Sequence, residues 1–498
     1  MGFAKRGQPK QGTKSVARHD SNLRNPSGDC YLAAMRMLWK NIKGLVGAYD
    51  APPPYLKGGE MRSLPVLEQA WLAIEDGVIV DFGTMDTFPG IADWSGLEVV
   101  DCEGKYALPA WCDSHTHLVF AASRSGEFLS RLEGKSYQEI AEEGGGILNS
   151  ARALQAMSEA DLLADARIRL QQAIRTGTGS IEIKSGYGLT AEAELKMLRV
   201  IRALKEEFTI PIKATFLACH AVPEGEWTAA TWTAHMIDQA LPVVANERLA
   251  DFVDAFCEKG YFGLEETQSL LDAAASHEIK SKIHVNQFNA FGGVKLCVNS
   301  KAVSVDHLEE LSAEDVEALK YAADSSNPTF ATALPGCSYF LGIPYTPVHE
   351  LMKADVPVAL ATDFNPGSAP SSNMNRVVQL AILKMKMHPL EAIAAATING
   401  AAAMECSERA GVIARGRAAN VLLTRPLNGL EDLAYDFGEE PVEVVSPVCQ
   451  VSLLDLCDVV SVQLLIDTVQ EFFIFNSPDE RLCDEVGVQL QQRHGDIQ

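Results

Sequence analysis

Three things are scarce in this chain of 498 residues: positive charge, paired cysteine motifs and long apolar runs. Lys and Arg number 42 against 66 Asp and Glu, a formal net charge of −24. That deficit speaks against a general phosphate-binding surface, so no nucleic-acid partner is expected; such a partner needs basic patches. It leaves room for a small anionic substrate, which needs only one or two local cations. The 11 cysteines are odd in number and none is spaced C-x-x-C. They read as small buried apolar residues of a protein in a reducing compartment, expected to be the cytoplasm, and not as a disulfide framework. No apolar run has the length of a membrane span, and the first residues hold no secretory apolar region, so no membrane partner is expected. What is present is ordinary for a folded enzyme-sized chain: 47% hydrophobic and 22% charged residues.

The chain divides by pattern. Residues 1–34 lack apolar periodicity and read as a disordered extension. Residues 35–105 read as short strands and turns, with a hairpin of 70–74 and 77–83 around Glu75-Asp76-Gly77. Runs at 411–414 and 420–424 resemble that region. One small β domain is therefore expected from both flanks, 35–105 and 409–445. The middle, 106–408, alternates apolar runs with helical stretches such as 191–207 and 264–277. Eight strands are expected, at 108–113, 180–184, 212–217, 252–257, 282–285, 303–306, 328–333 and 357–362. Eight such repeats predict an α/β fold, a (β/α)₈ barrel, whose strands should be near-continuously apolar, as at 356–361.

Polar residues gather where the expected strands end, which is where barrel enzymes place their chemistry. The first strand ends in His115 and His117. Residues i and i+2 of a strand share a face, so both imidazoles can meet one ion. A lone H-x-H also occurs on ordinary strand surfaces, but more follows downstream. Tyr187, His220, His284, Gln287, Asp306, His307 and Asp363 all fall at strand ends, so five of the 11 histidines share one rim. His115, His117, His284 and Asp363 make three imidazoles and one carboxylate, a set that holds one catalytic metal ion, zinc or iron, and leaves a position for water. A carboxylate beside such a water can take its proton and return it to a leaving nitrogen, which is the role expected of Asp363. Taken alone, Asp363 reads as a turn aspartate before Pro366-Gly367.

Six segments carry a resemblance: LPAWCDSHTHLVFAASRSGEF (108–128), RLEGKSYQEIAEEGGGI (131–147), EIKSGYGL (182–189), ATFLACHAVP (214–223), ATALPG (331–336) and VALATDFNPGS (358–368). Together they resemble the amidohydrolase superfamily and, within it, the imidazolonepropionase family of histidine degradation, over roughly residues 38–440, more than one ordinary domain's length. The resemblance implies a TIM-like barrel of the amidohydrolase type with a small β-sandwich domain, and possession of one metal held by His115, His117, His284 and Asp363. It implies hydrolysis of 4-imidazolone-5-propanoate to N-formimidoyl-L-glutamate, with metal-bound hydroxide attacking the ring carbonyl. Arg124 resembles the arginine that binds the substrate carboxylate, for which a planar guanidinium is suited. Tyr187, His220, Gln287, Asn365, Gly367 and Ser368 match substrate-contacting positions. The oxyanion is expected to be met by His307 or His220, with Asp306 serving structure. A homodimer is also implied.

Two departures stand out. Residues 284–288 read HVNQF, where the family commonly has Ala-Asp after the histidine. Residues 446–498, with nine acidic and two basic residues, are unlike the family's final strands. Two other functions suit the same barrel less well. A deaminase on the same barrel normally has an acid where Gln287 stands, and a non-catalytic scaffold would have lost metal ligands.

Overall fold

The computed structural model describes residues 36–135 and 145–445. The expectations for 1–34 and 446–498, and part of the 131–147 segment, lie outside the described residues. Two sheets organise the rest. The first contains β1 (Arg36–Val46), β2 (Val66–Glu75), β3 (Val78–Thr84), β4 (Leu97–Asp101), β5 (Lys105–Pro109), and then β14 (Val421–Pro426) and β15 (Val442–Val445). Its order is β15-β14-β5-β1-β2-β3, with β4 also on β1. Strands from both flanks of the sequence thus share one sheet. The β2–β3 hairpin turns at the expected residues, pairing Glu75 with Val78.

The second sheet is wholly parallel: β6 (Trp111–Asp113), β7 (Thr178–Lys184), β8 (Ile212–Cys219), β9 (Phe252–Cys257), β10 (Lys280–Val285), β11 (Ser304–His307), β12 (Phe330–Ala333) and β13 (Val358–Leu360), each beside the next. All eight expected strands are present. Helices run between them, including Ala191–Glu207 and Leu264–Ser276. The first of these is capped by Thr190, whose hydroxyl accepts from Ala193 N–H.

Two expectations about strands are corrected. The run 108–113 is not one strand. β5 ends at Pro109 in the first sheet and β6 begins at Trp111 in the barrel, because Ala110 N–H donates to Asn420 while Trp111 N–H donates to Gly177. The run 411–414 forms only a bridge, Ile413 to Ala48, before the chain turns back at Arg417 N–H to Ala414 O (3.1 Å).

The barrel interior also differs from the apolar filling expected. Residues alternate along each strand. Ile181, Ile183, Val253, Ile283 and Val305 join the main apolar core. Their neighbours Glu182, Lys184, Asp254, Lys282 and Asp306 instead meet one another across the interior, each fully buried. Charge is tolerable there only because it is paired.

β6 and β13 stand at the two ends of the sheet order, and the gap between them closes just past their ends. Asp363 N–H donates to His115 O (3.0 Å), and His117 N–H donates to Phe364 O (2.8 Å). The Thr362 N–H and hydroxyl both donate to Asp113 (2.9 and 2.6 Å). The seam that shuts the barrel therefore sets His115, His117 and Asp363 beside one another.

The two sheets are clamped at Gly179, whose carbonyl accepts from Asn420 Nδ2 (2.8 Å). A Cβ on Gly179 would overlap Asn420 and Ala110. Gly179→Ala is expected to destabilise the fold by about 2–3 kcal/mol, as overpacked interiors do. A denaturant midpoint unchanged from the parent would contradict that clamp.

Candidate active site

Four donor atoms converge at the seam. His115 Nε2 lies 3.0 Å from His284 Nε2, and His117 Nε2 lies 3.2 Å from it. Asp363 Oδ1 is 3.6 Å from His115 Nε2 and 3.4 Å from His117 Nε2. Tetrahedral ligation at bond lengths of 2.0–2.2 Å places donor atoms roughly 3.3–3.6 Å apart.

The protonation pattern points the same way. His115 Nδ1–H donates to Asp306 (2.6 Å) and His284 Nδ1–H donates to Asp254 (2.8 Å). Each Nε2 then carries its lone pair inward. Two lone pairs 3.0 Å apart repel unless a cation lies between them. Burial and the nearby Lys184 charge push both imidazoles well below their ordinary pKa, so protons do not fill that place. Asp363 is drawn down instead: burial opposes its charge, but His117 and the surrounding imidazoles outweigh it. The residues present fit a metal ion.

Charge balance adds to the fit. Among Glu182, Asp254, Asp306, Asp363, Lys184 and Lys282, all buried, carboxylates outnumber ammoniums by two. Lys184 Nζ binds Glu182 (2.7 Å) and Asp254 (2.9 Å), with Asp306 at 3.7 Å. One ammonium thereby holds both carboxylates that orient the imidazoles, and those carboxylates hold its pKa far up against the cost of burial. Glu182, Asp254 and Lys282 do not stand out in the sequence. A buried acid two residues from a lysine on an apolar strand was the available signal. Asp306, expected to serve structure, does so by orienting His115.

Backbone strain marks the rim. Asp363 has φ 56° and His307 φ 89°, left-handed values rare for such residues and typical of functional positions. Asn286 has φ 57°, a conformation asparagine tolerates, and its Nδ2 donates to Asp315 (2.9 Å), which accounts for the unusual HVNQF segment.

The other sequence-derived residues gather in the same pocket, whose walls include Arg124, Tyr187, His220, Gln287, His307, Asn365 and Ser368. His220 stacks on His117, ring centroids 5.3 Å apart and 16° from parallel. Its Nδ1–H donates to Gly186 O (2.9 Å), and burial pushes its pKa down to about 3. Neutral, it presents an Nε2 lone pair and accepts. His307 faces Glu309 through Nδ1 (3.3 Å); burial opposes its charge, but Glu309 holds its pKa above the ordinary value. Tyr187 rests on a loop tied by Glu194, buried, which accepts from the N–H groups of Gly186, Gly188 and Leu189 (2.6, 2.6 and 3.0 Å).

Arg124 is buried, its Nε donating to Glu127 (2.7 Å). Asn365 is absorbed in its own loop: Nδ2 donates to Asp363 O and Ser368 Oγ, and Oδ1 accepts from the N–H groups of Gly367 and Ser368. That loop brings Gly367 against the Arg124 guanidinium so closely that a Cβ would overlap it. Gly367→Ala is expected to displace Arg124 and raise KM about tenfold or more while changing kcat less, the pattern of lost ground-state and transition-state binding alike. A fall in kcat with KM unchanged would contradict this. A wider cleft lies at the opposite, N-terminal ends of the strands, around Tyr55, Lys280, Val303 and Phe330, and holds none of these groups.

The sequence profile of the amidohydrolase family matches residues 106–450. The imidazolonepropionase of Christiangramia forsetii is 50% identical over 412 residues, 82% of this chain and 98% of that one. The imidazolonepropionase of Flavobacterium johnsoniae is likewise 50% identical over the same shares. Among solved structures, a triazine hydrolase variant overlays with a TM-score of 0.63 at 16% identity, covering 83% of this chain and 94% of that one, which speaks for the fold alone. Half of the aligned residues are thus shared along nearly the whole length of these relatives, and the chain belongs to the amidohydrolase family, within it to the imidazolonepropionases.

Proposed function

We propose that this pocket opens the lactam ring of 4-imidazolone-5-propanoate by hydrolysis, giving N-formimidoyl-L-glutamate. The observation that carries this reading is the four-donor cluster at the seam beside a pocket that a buried arginine also lines. His115, His117, His284 and Asp363 would hold one divalent or trivalent ion, zinc or iron. Such an ion, when bound, lowers the pKa of water and polarises a carbonyl.

The chain's own residues supply the rest. Arg124 anchors the propionate, with Glu127 fixing the plane of the guanidinium. Tyr187 and Gln287 line the ring's position and hold it for attack. Asp363, ionised, takes a proton from the attacking water. The lactam C–N bond then breaks, and Asp363 returns that proton to the departing nitrogen, which becomes the amidine nitrogen of the formimidoyl group. The former carbonyl carbon stays on the product as its α-carboxylate, and the remaining acid proton goes to solvent. We assign the developing oxyanion to His307, whose Nδ1 faces Glu309 and whose Nε2–H can donate. His220 has its one proton committed to Gly186, so it accepts from a ring N–H. Asn365 and Gly367 act on substrate through loop position, Ser368 from the pocket wall.

The seven described cysteines lie buried and free of disulfides, and no helix among the described residues is long and apolar enough to cross a membrane. Those features support the cytoplasm as the working compartment.

Mass spectrometry of the product and the kinetics of Arg124→Ala test the reading together. Formimidoyl-glutamate should form, and Arg124→Ala should lower kcat/KM for the propanoate by about 100-fold or more, as loss of a charged hydrogen-bond pair does. Equal loss toward an analogue lacking the propionate would show that Arg124 is not the anchor.

A further inference from the structure

We infer a second metal site beside the first, formed by His307, Glu309 and Cys337 and suited to a thiophilic divalent ion such as zinc or cadmium. An imidazole, a carboxylate and a sulfur meet here, all buried, with their ligand atoms within 4.8 Å of one another. His307 Nδ1 and Glu309 Oε1 are already 3.3 Å apart, a separation that ligands of a shared ion adopt. The Cys337 sulfur closes the set with a movement on the order of 1 Å, given zinc–sulfur bonds of about 2.3 Å.

A further observation points to a ligand. Glu309 Oε2 is buried and has no hydrogen-bond partner among the described residues. A carboxylate oxygen in that condition is costly unless something satisfies it, and a cation between Glu309 and Cys337 does so. Gln287 Nε2 donates to Cys337 Sγ (3.4 Å), while burial and the Asp363 and Glu309 charges keep the thiol protonated until an ion displaces its proton. Ser338 Oγ donates to Glu309 Oε1 (3.2 Å) and steadies the carboxylate. The backbone is set for it: His307 and Leu308 both take positive φ (89° and 62°), turning Glu309 under His307 at the end of β11, while Cys337 sits in the first turn of the helix Pro335–Leu341 after β12.

Thiolate and carboxylate together neutralise a divalent ion. Binding replaces the Cys337 thiol proton and one His307 ring proton, which leave to solvent, so affinity falls as the pH falls. Occupancy through Nδ1 leaves the His307 Nε2–H in place but fixes the ring toward the second ion, so it should lower turnover, a consequence that rests on the function proposed above, whereas the site itself does not.

The test titrates the full chain, already holding one ion, with cadmium and follows sulfur-to-cadmium charge-transfer absorption in the ultraviolet. One further equivalent should bind per chain with that band. Cys337→Ser should lose the band, and Glu309→Gln should weaken the second equivalent at least about tenfold while the first ion stays bound. A band of full amplitude in Cys337→Ser, or a parent chain that takes no further equivalent, overturns the proposal. Turnover read alongside separates the two readings. A thiolate band lost in Cys337→Ser without any ring opening leaves the second site standing and removes the assigned reaction, while ring opening without the band does the reverse.

Discussion

Asp363→Asn is expected to lower turnover by about a thousandfold or more, the scale of a lost general acid–base group. Two losses combine in it. The amide cannot carry a proton between water and the departing nitrogen, and it takes away the one anion among the four donors. The fold should survive. Asp363 contributes to the seam through its backbone, N–H to His115 O and carbonyl from Asn365 Nδ2, and an asparagine makes the same bonds. Asparagine also tolerates the positive φ of 56° found there. A melting temperature near that of the parent, together with the lost rate, separates chemistry from folding. Turnover within tenfold of the parent would remove Asp363 from the proton path.

Lys184→Met is expected to strip the metal without touching a ligand. Lys184 has no contact with the ion's position; it binds Glu182 and Asp254 and stands near Asp306. Without it three carboxylates share the interior with Lys282 alone. An uncompensated buried charge costs about 3–5 kcal/mol, so Asp254 or Asp306 takes a proton or turns away. His284 or His115 then loses the acceptor that aims its lone pair inward. Metal affinity should fall at least about 10–100-fold, the range for lost orienting partners. Competition with a chelator measures this directly, and Lys184→Arg should recover little because a planar fork does not fit the space of an ammonium. Unchanged affinity in a folded Lys184→Met would show that the carboxylates hold the imidazoles unaided.

How much of this was legible follows from what each signal depends on. Apolar runs and helical periodicity are local, so all eight barrel strands could be read, several to within two residues, as at β9. Histidines at strand ends are also local, and the rim of His115, His117, His220, His284 and His307 could be assembled from them. The seam between β6 and β13 was hidden, because it joins residues about 250 positions apart by backbone bonds that no side chain announces. The interior ion network was hidden for another reason. Glu182, Asp254 and Lys282 sit in strands that look almost wholly apolar, and only closure of the barrel shows that their shared face points at one another. Asn365 lines the pocket as its motif implied, but the bonds its side chain makes within its own loop could not be read locally. The tautomer of His220 depended on Gly186 O, 34 residues away, and so could not be assigned before the fold was known.

One measurement reaches the centre of the account: the initial rate of loss of imidazolone propanoate, followed by ultraviolet absorbance, as metal-free chain is reloaded with zinc or ferrous iron. Four donors around one point predict a rate that rises in proportion to added metal and stops rising at one equivalent per chain. No ring opening at any loading, or a rate that keeps rising to a second equivalent, would contradict a single-ion site formed by His115, His117, His284 and Asp363.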